Sequence, residues 1–211
     1  MGIKGEKIKT AIVCGGVIED ISWLKNELRN YDYIIAADSG YDYCVKADVV
    51  VNLLIGDFDS IETKIPDNIE IIKLPVKKDS TDFEVCLKYC LDNKIFEATV
   101  FGAWGGRPGH SFAAVFCGME YYKKGLNIIL KTEKSEMQFS DSFLKLEKSD
   151  DYISIFPLGI DSAKITLKGF EYSLDNYELD SFSPLGVSNR IIDKFATIEI
   201  KNGLILVIKE K

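Results

Sequence analysis

The chain is poor in several things that would make its chemistry obvious. It holds one histidine, His110, in 211 residues. A lone histidine near a helix start is more often a cap or a core residue than a ligand, so it counts only together with its neighbours. Basic residues are outnumbered by acidic ones, 26 to 33, for a net charge of −7. That argues against general nucleic-acid binding, which needs a basic face for the phosphates. The five cysteines (Cys14, Cys44, Cys86, Cys90 and Cys117) are odd in number and contain no CxxC pair. Reduced thiols in the cytoplasm are the expectation, not a disulfide framework. The opening MGIKGEKIKT has no apolar core of a signal peptide. Position 6 is Glu6, where a myristoylation signal needs Ser or Thr. No apolar run is long enough to cross a bilayer, so no membrane partner is expected. Repeats and low-complexity linkers are also missing.

What is present is the pattern of a two-part globular chain. TAIVCGG (10–16), YIIAAD (33–38), VVNLLIGD (50–57), IEIIKLP (69–75), EATVFGA (97–103) and NIILKT (127–132) read as short buried strands. Between them lie helical stretches. DISWLKNELRN puts Ile21, Leu24 and Leu28 on one face behind Asp20 as a cap. STDFEVCLKYCL spaces Phe83, Cys86, Leu87, Cys90 and Leu91 as an amphipathic helix, with Thr81 and Glu84 at capping-box spacing. HSFAAVFCGMEYYKK places Phe112, Val115, Phe116 and Met119 on one stripe and stops at Gly125. Strands alternating with helices predict an α/β domain over 1–132, Rossmann-like, with a mainly parallel sheet and helices on both faces. From about residue 133 the period changes to two. FLKLEKSDDYISIFPLG, AKITLKGFEYSL, ATIEIKNG and LILVIKEK alternate apolar and polar residues, and Asn202-Gly203 reads as a hairpin turn. The expectation for 133–211 is an all-β sandwich.

Polar chemistry collects where the predicted parallel strands end, the place where open α/β sheets form their ligand crevice. Gly15 and Gly16 follow the first strand, Asp38 the second, and Asp57 and Asp59 the third. Two aspartates two apart in extended chain face the same side. Held that close they repel, and a hard divalent cation such as Mg²⁺ removes the conflict. Taken alone, such a pair is also what a solvated turn looks like. KKDSTD (77–82) adds Lys77, Lys78, Asp79 and Asp82 before and into a helix, where free N–H groups attract phosphate and Asp79, Ser80 or Thr81 also suits a cap. WGGRPGH (104–110) supplies Gly105 and Gly106, which let backbone N–H groups approach an anion, and Arg107 to clamp it.

In order and spacing, AADSGYDYC, IGDFDSI, KDSTDFEVCL, GAWGGRPGH, KGFEYSL and GVSN resemble the bacterial thiamine pyrophosphokinase family over nearly the whole chain. The resemblance implies transfer of pyrophosphate from ATP to thiamine, giving thiamine diphosphate and AMP, with Mg²⁺. It implies a homodimer with the site near the subunit interface, and a C-terminal domain that serves dimerisation and the thiamine pocket. Carried over by motif, Asp57, Asp59, Asp79 and Asp82 are the metal and catalytic acids. Gly16, Asp38, Lys78, Gly105, Gly106, Arg107 and His110 face ATP. Ser188 and Asn189 lie near thiamine, reaching across to the other subunit. The chain departs from the family at three places. The usual GGRxDH is GGRPGH, leaving Gly109 where an aspartate is expected; Ser39 replaces a glycine of ADGG; Ala114 replaces an asparagine.

Two other readings stay open at the level of sequence. IGDFDSI also resembles the DxD of a haloacid-dehalogenase-like phosphatase with Asp57 as nucleophile, although two strands precede it where that motif belongs on the first. A non-catalytic binder of nucleotide or thiamine, disabled at Gly109, is the other.

Overall fold

The computed structural model describes residues 8–76 and 79–211. They divide into two compact units, Met1–Glu133 and Lys134–Lys211. In the first, β1 (Thr10–Val13), β2 (Tyr33–Ala37), β3 (Leu53–Gly56), β4 (Glu70–Lys73), β5 (Glu97–Phe101) and β6 (Asn127–Lys131) lie in the order β4-β3-β2-β1-β5-β6. Every pairing among these six is parallel. The central strands β1 and β3 are buried throughout, which is why they read as continuous apolar runs rather than alternating ones.

Helices α1 (Ile21–Leu28), α2 (Gly40–Lys46), α3 (Asp82–Asp92) and α4 (Pro108–Lys123) connect the strands. Asp20 caps α1 by accepting the Trp23 N–H at 3.0 Å, and Thr81 caps α3 by accepting the Glu84 N–H at 3.2 Å, both as the spacing predicts. Ala11, Val13, Ile34, Ala36 and Leu54 pack with Leu24 and Leu28 of α1 and with Tyr41 and Cys44 of α2. α3 lies against β2 and β3, and α4 against β6 and α3. The expected apolar stripe of α4 is corrected. Phe112 and Phe116 are exposed, and the buried face is Ser111, Ala114, Val115, Gly118 and Tyr121. Small side chains let this helix sit close to the layer beneath it, and the bulky rings are left outside.

The second unit contains β7 (Ser135–Ser140), β8 (Phe143–Glu147), β9 (Tyr152–Pro157), β10 (Ser162–Lys168), β11 (Leu174–Asp180), β12 (Phe195–Asn202) and β13 (Ile205–Glu210). All its pairings are antiparallel: β7-β13-β9 in one layer and β11-β10-β12-β8 in another. Ile153 and Ile155 of β9, Ile165 and Leu167 of β10, Ile198 of β12 and Val207 of β13 fill one sandwich-like core. The Asn202-Gly203 hairpin is a second correction. β12 pairs with β8 and β10, while β13 pairs with β7 and β9. The turn therefore passes the chain from one layer to the other. Among the described residues no helix is long and apolar enough to cross a membrane.

Candidate active site

The site is built at the carboxyl ends of β1, β2, β3 and β5. Past the end of β1, Cys14 N–H donates to Phe101 O at 2.8 Å and Gly16 N–H to Gly102 O at 2.9 Å, so the two loops stay laced together beyond the strands. A Cβ on Gly16 would stand 2.1 Å from that Gly102 oxygen. Only glycine permits the approach. A cavity of about 460 Å³ opens here, within the usual size of a small-molecule site. Its walls include Gly16, Asp38, Asp82, Gly106, Arg107 and His110, drawn from four separate segments, those that follow β1, β2, β4 and β5. Cys14, Val17, Tyr43, Phe83 and Ser111 also line it, although the sequence alone does not assign them to the site. They are ordinary apolar or small residues, and only the fold shows which way they face.

Asp38, Asp57 and Asp59 form one group: a carboxylate oxygen from each lies within 4.8 Å of the other two. The way Asp57 and Asp59 converge differs from the expectation of extended chain. Phe58 between them is left-handed, with φ 70°. Asp59 N–H turns back to donate to Asp57 Oδ1 at 3.3 Å, and Ser60 Oγ donates to Asp59 Oδ1 at 2.8 Å. Asp38 is left-handed too, with φ 46°. Non-glycine residues hold that conformation at a cost of about 1–3 kcal/mol, and such positions gather at functional sites.

Burial pushes the Asp38 carboxyl above its ordinary value; the Ser39 N–H opposes this, and the charges of Asp82, Asp57 and Asp59 add to the rise. Its Oδ1 is buried and has no hydrogen-bond partner among the described residues. Three crowded carboxylates, one of which carries a buried oxygen with no hydrogen-bond partner among the described residues, are a donor set that suits a hard divalent cation.

The remaining expected residues fall out as follows. Asp82 begins α3 on the cavity wall. Asp79 is exposed, outside both the wall and the three-acid group. Lys78 lies outside the described residues. Arg107 precedes α4 with its Nη2 3.5 Å from His110 Nδ1. Gly106 lines the cavity. Gly105, with φ 93°, is not on the wall and donates its N–H to Ser111 Oγ at 3.3 Å.

Ser188 and Asn189 belong to the second unit. Asn189 is buried, and its side chain is fully engaged with backbone: Oδ1 accepts from the Tyr172 and Arg190 N–H groups and Nδ2 donates to Tyr172 O. Ser188, left-handed at φ 57°, donates its N–H to Ser154 Oγ at 3.0 Å.

Comparisons with known proteins cover nearly the whole chain. Residues 24–130 match the family model described as thiamin pyrophosphokinase, catalytic domain. Residues 142–205 match that described as thiamin pyrophosphokinase, vitamin B1 binding domain. The chain belongs to the thiamin pyrophosphokinase family. A thiamine pyrophosphokinase of Bacillus subtilis is 28% identical over 206 residues, covering 94% of this chain and 96% of that one. The crystal structure of the Bacillus subtilis thiamine pyrophosphokinase superposes with a TM-score of 0.84 at 26% identity, over 96% of this chain and 99% of that one. A thiamin pyrophosphokinase family protein of Enterococcus faecalis does so at 0.79 and 25%, again over 96% and 99%. Family membership decides against the phosphatase alternative, whose DxD would sit on the first strand and not on β3.

Proposed function

We propose that the chain transfers the pyrophosphoryl group of ATP to the hydroxyl of thiamine, giving thiamine diphosphate and AMP, and that it needs Mg²⁺ to do so. One observation carries the site assignment: the three-acid group of Asp38, Asp57 and Asp59 adjoins a cavity whose walls also hold Gly16, Arg107 and His110. Transfer of this kind is mostly positioning and charge neutralisation. Asp38, Asp57 and Asp59 would hold Mg²⁺, which when bound draws charge off the bridging phosphate oxygens.

The chain's own residues do the rest. Arg107 offers a planar fork of donors to the phosphates. Gly106, without a side chain on the cavity wall, lets the backbone there approach an anion, while the Gly16 N–H is spent on Gly102 O. Lys78 is assigned to the phosphates on its chemistry. Asp79 and Asp82, carried by the same segment, keep the catalytic role their motif implies. The strand order, with Gly16 and Asp38 at the carboxyl ends of neighbouring β1 and β2, supports reading the first unit as Rossmann-like with helices on both faces.

Thiamine is itself a cation, and an acidic cleft with aromatic side chains suits it. The match of residues 142–205 to a vitamin B1 binding domain supports placing Ser188 and Asn189 near thiamine. Since Asn189 spends its side chain on backbone, its part is to hold the loop and Ser188 is the residue that meets the ligand. The working form is a homodimer with the site near the interface. Five thiols, none in a disulfide, fit the cytoplasm.

The test is an assay with ATP, thiamine and Mg²⁺ that follows AMP and thiamine diphosphate, beside Asp57→Asn. Wild type should form both products in equal amounts, and the variant should fold and lose most of the activity. Orthophosphate or ADP in place of AMP would overturn the reaction. Full activity in Asp57→Asn would overturn the site.

A further inference from the structure

Asp42 is a buried charge that the proposed chemistry does not use. It sits on α2, 7% exposed, four residues after Asp38. Its two oxygens are divided between successive backbone donors of another segment: Oδ2 accepts the Glu62 N–H at 3.1 Å and Oδ1 the Thr63 N–H at 2.9 Å. Burial pulls the Asp42 carboxyl upward, but the Thr63 side chain, these two N–H groups and Lys46 outweigh it and leave it below its ordinary value. The carboxylate is therefore held charged and fully occupied.

The segment it grips is the one that carries Asp57 and Asp59. That loop leaves β3 through left-handed Phe58, a conformation the chain does not hold by local preference. Phe58 and Ile61 pack on the core beside Tyr41 and Cys44 of α2. Apolar packing sets the depth of the loop. The two bonds to Asp42 fix its position along α2, and so relative to Asp38 at the head of that helix.

We propose that Asp42 is a positioning residue: by clamping Glu62 and Thr63 it keeps Asp57 and Asp59 in register with Asp38 for a shared divalent cation. This rests on the reading of those three acids as the metal-holding group. The chemistry requires both oxygens. In Asp42→Asn one acceptor is kept for Thr63, but an NH₂ is turned toward the Glu62 N–H.

The experiment uses the full chain and Mn²⁺ as probe, with free Mn²⁺ followed by electron paramagnetic resonance in wild type, Asp42→Asn and Asp42→Ala. Amide hydrogen exchange at Glu62 and Thr63 is read alongside. Outer residues that orient ligands are worth about 10–100-fold in metal affinity. Asp42→Ala should weaken Mn²⁺ by that factor and Asp42→Asn by less. Both should lose protection at Glu62, and only the alanine variant at Thr63. Should the alanine variant fail to fold, the near-isosteric Asn variant carries the test.

Unchanged Mn²⁺ affinity in a variant whose Glu62 amide has lost protection would overturn the proposal and leave the metal group standing. A wild type that binds no Mn²⁺ would overturn both, and wild type alone shows that. A lowered melting temperature with Mn²⁺ affinity intact would mark Asp42 as structural only.

Discussion

Asp38→Asn should make the metal-free protein more stable while abolishing its activity. The three carboxylate oxygens lie within 4.8 Å of one another. At that separation two unit charges repel by about 1 kcal/mol in water-like surroundings and by about 3.5 kcal/mol at an effective dielectric constant of about 20. Asp59 is exposed and sits near the lower figure; Asp57 and Asp38 are half-buried and sit between the two. Removing the Asp38 charge should therefore gain about 2 kcal/mol, or roughly 4–8 °C in melting temperature for a chain of this size. Asparagine tolerates the left-handed backbone at this position and keeps an oxygen for the Ser39 N–H.

The pH arm has a definite sign. Because the folded state raises the Asp38 carboxyl, it binds that proton more tightly than the unfolded chain does. The penalty is absent at low pH, develops as pH rises from the ordinary carboxylate value through the folded one, and is complete above it. The stability gap between variant and wild type should open over that window. Millimolar Mg²⁺ should then reverse the order, because ligand binding stabilises wild type by about 2.7 kcal/mol at a hundredfold excess over Kd and the variant by less. Thermal melts with chelator and with Mg²⁺, from acid to neutral pH, measure all of this. A variant less stable than wild type in chelator, or a gap that ignores Mg²⁺, would refute repulsion within the group.

Gly109→Asp should stabilise the protein. Gly109 lies in the first turn of α4, that turn holds no acid, and a Cβ there meets nothing within 4 Å. Helix propensity and the helix dipole together favour aspartate by about 1 kcal/mol, or roughly 2–4 °C in a thermal melt; a fall would contradict the geometry of that turn. Gly16→Ala should do the opposite, because its methyl group would meet the Gly102 carbonyl oxygen at 2.1 Å. Displacing that loop costs about 1–3 kcal/mol, and calorimetry should show ATP binding weakened at least tenfold.

Much of this molecule is written locally in its sequence. The caps at Asp20 and Thr81 were legible because a side-chain oxygen and an N–H three residues on need no tertiary context. The parallel strands were legible because burial on both faces leaves apolar runs. Three features were hidden for physical reasons. β7, Ser135–Ser140, has only Met137 and Phe139 as apolar residues, so its period is faint. The partners of β12 and β13 depend on which layer each joins, and an Asn-Gly turn serves a crossover as readily as a hairpin. Asp42 looked like any helix carboxylate, since its donors lie 20 and 21 residues away. For the candidate site, the glycines and acids at strand ends pointed to the right edge of the sheet. The left-handed twist at Phe58 that gathers Asp57 and Asp59 left no mark, because phenylalanine rarely adopts it.

The place of β13 bears on how the chain is made. This strand, Ile205–Glu210, is hydrogen-bonded on both sides, to β7 and to β9, which precede it by about fifty to seventy residues. Until the ribosome has released it, β9 lacks the strand it ladders with. The first unit, whose strands are all synthesised by Lys131, is under no such delay. At about 5–20 residues per second, the nascent second unit would wait several seconds with unpaired strand edges, and this is the interval in which a chaperone has most to offer.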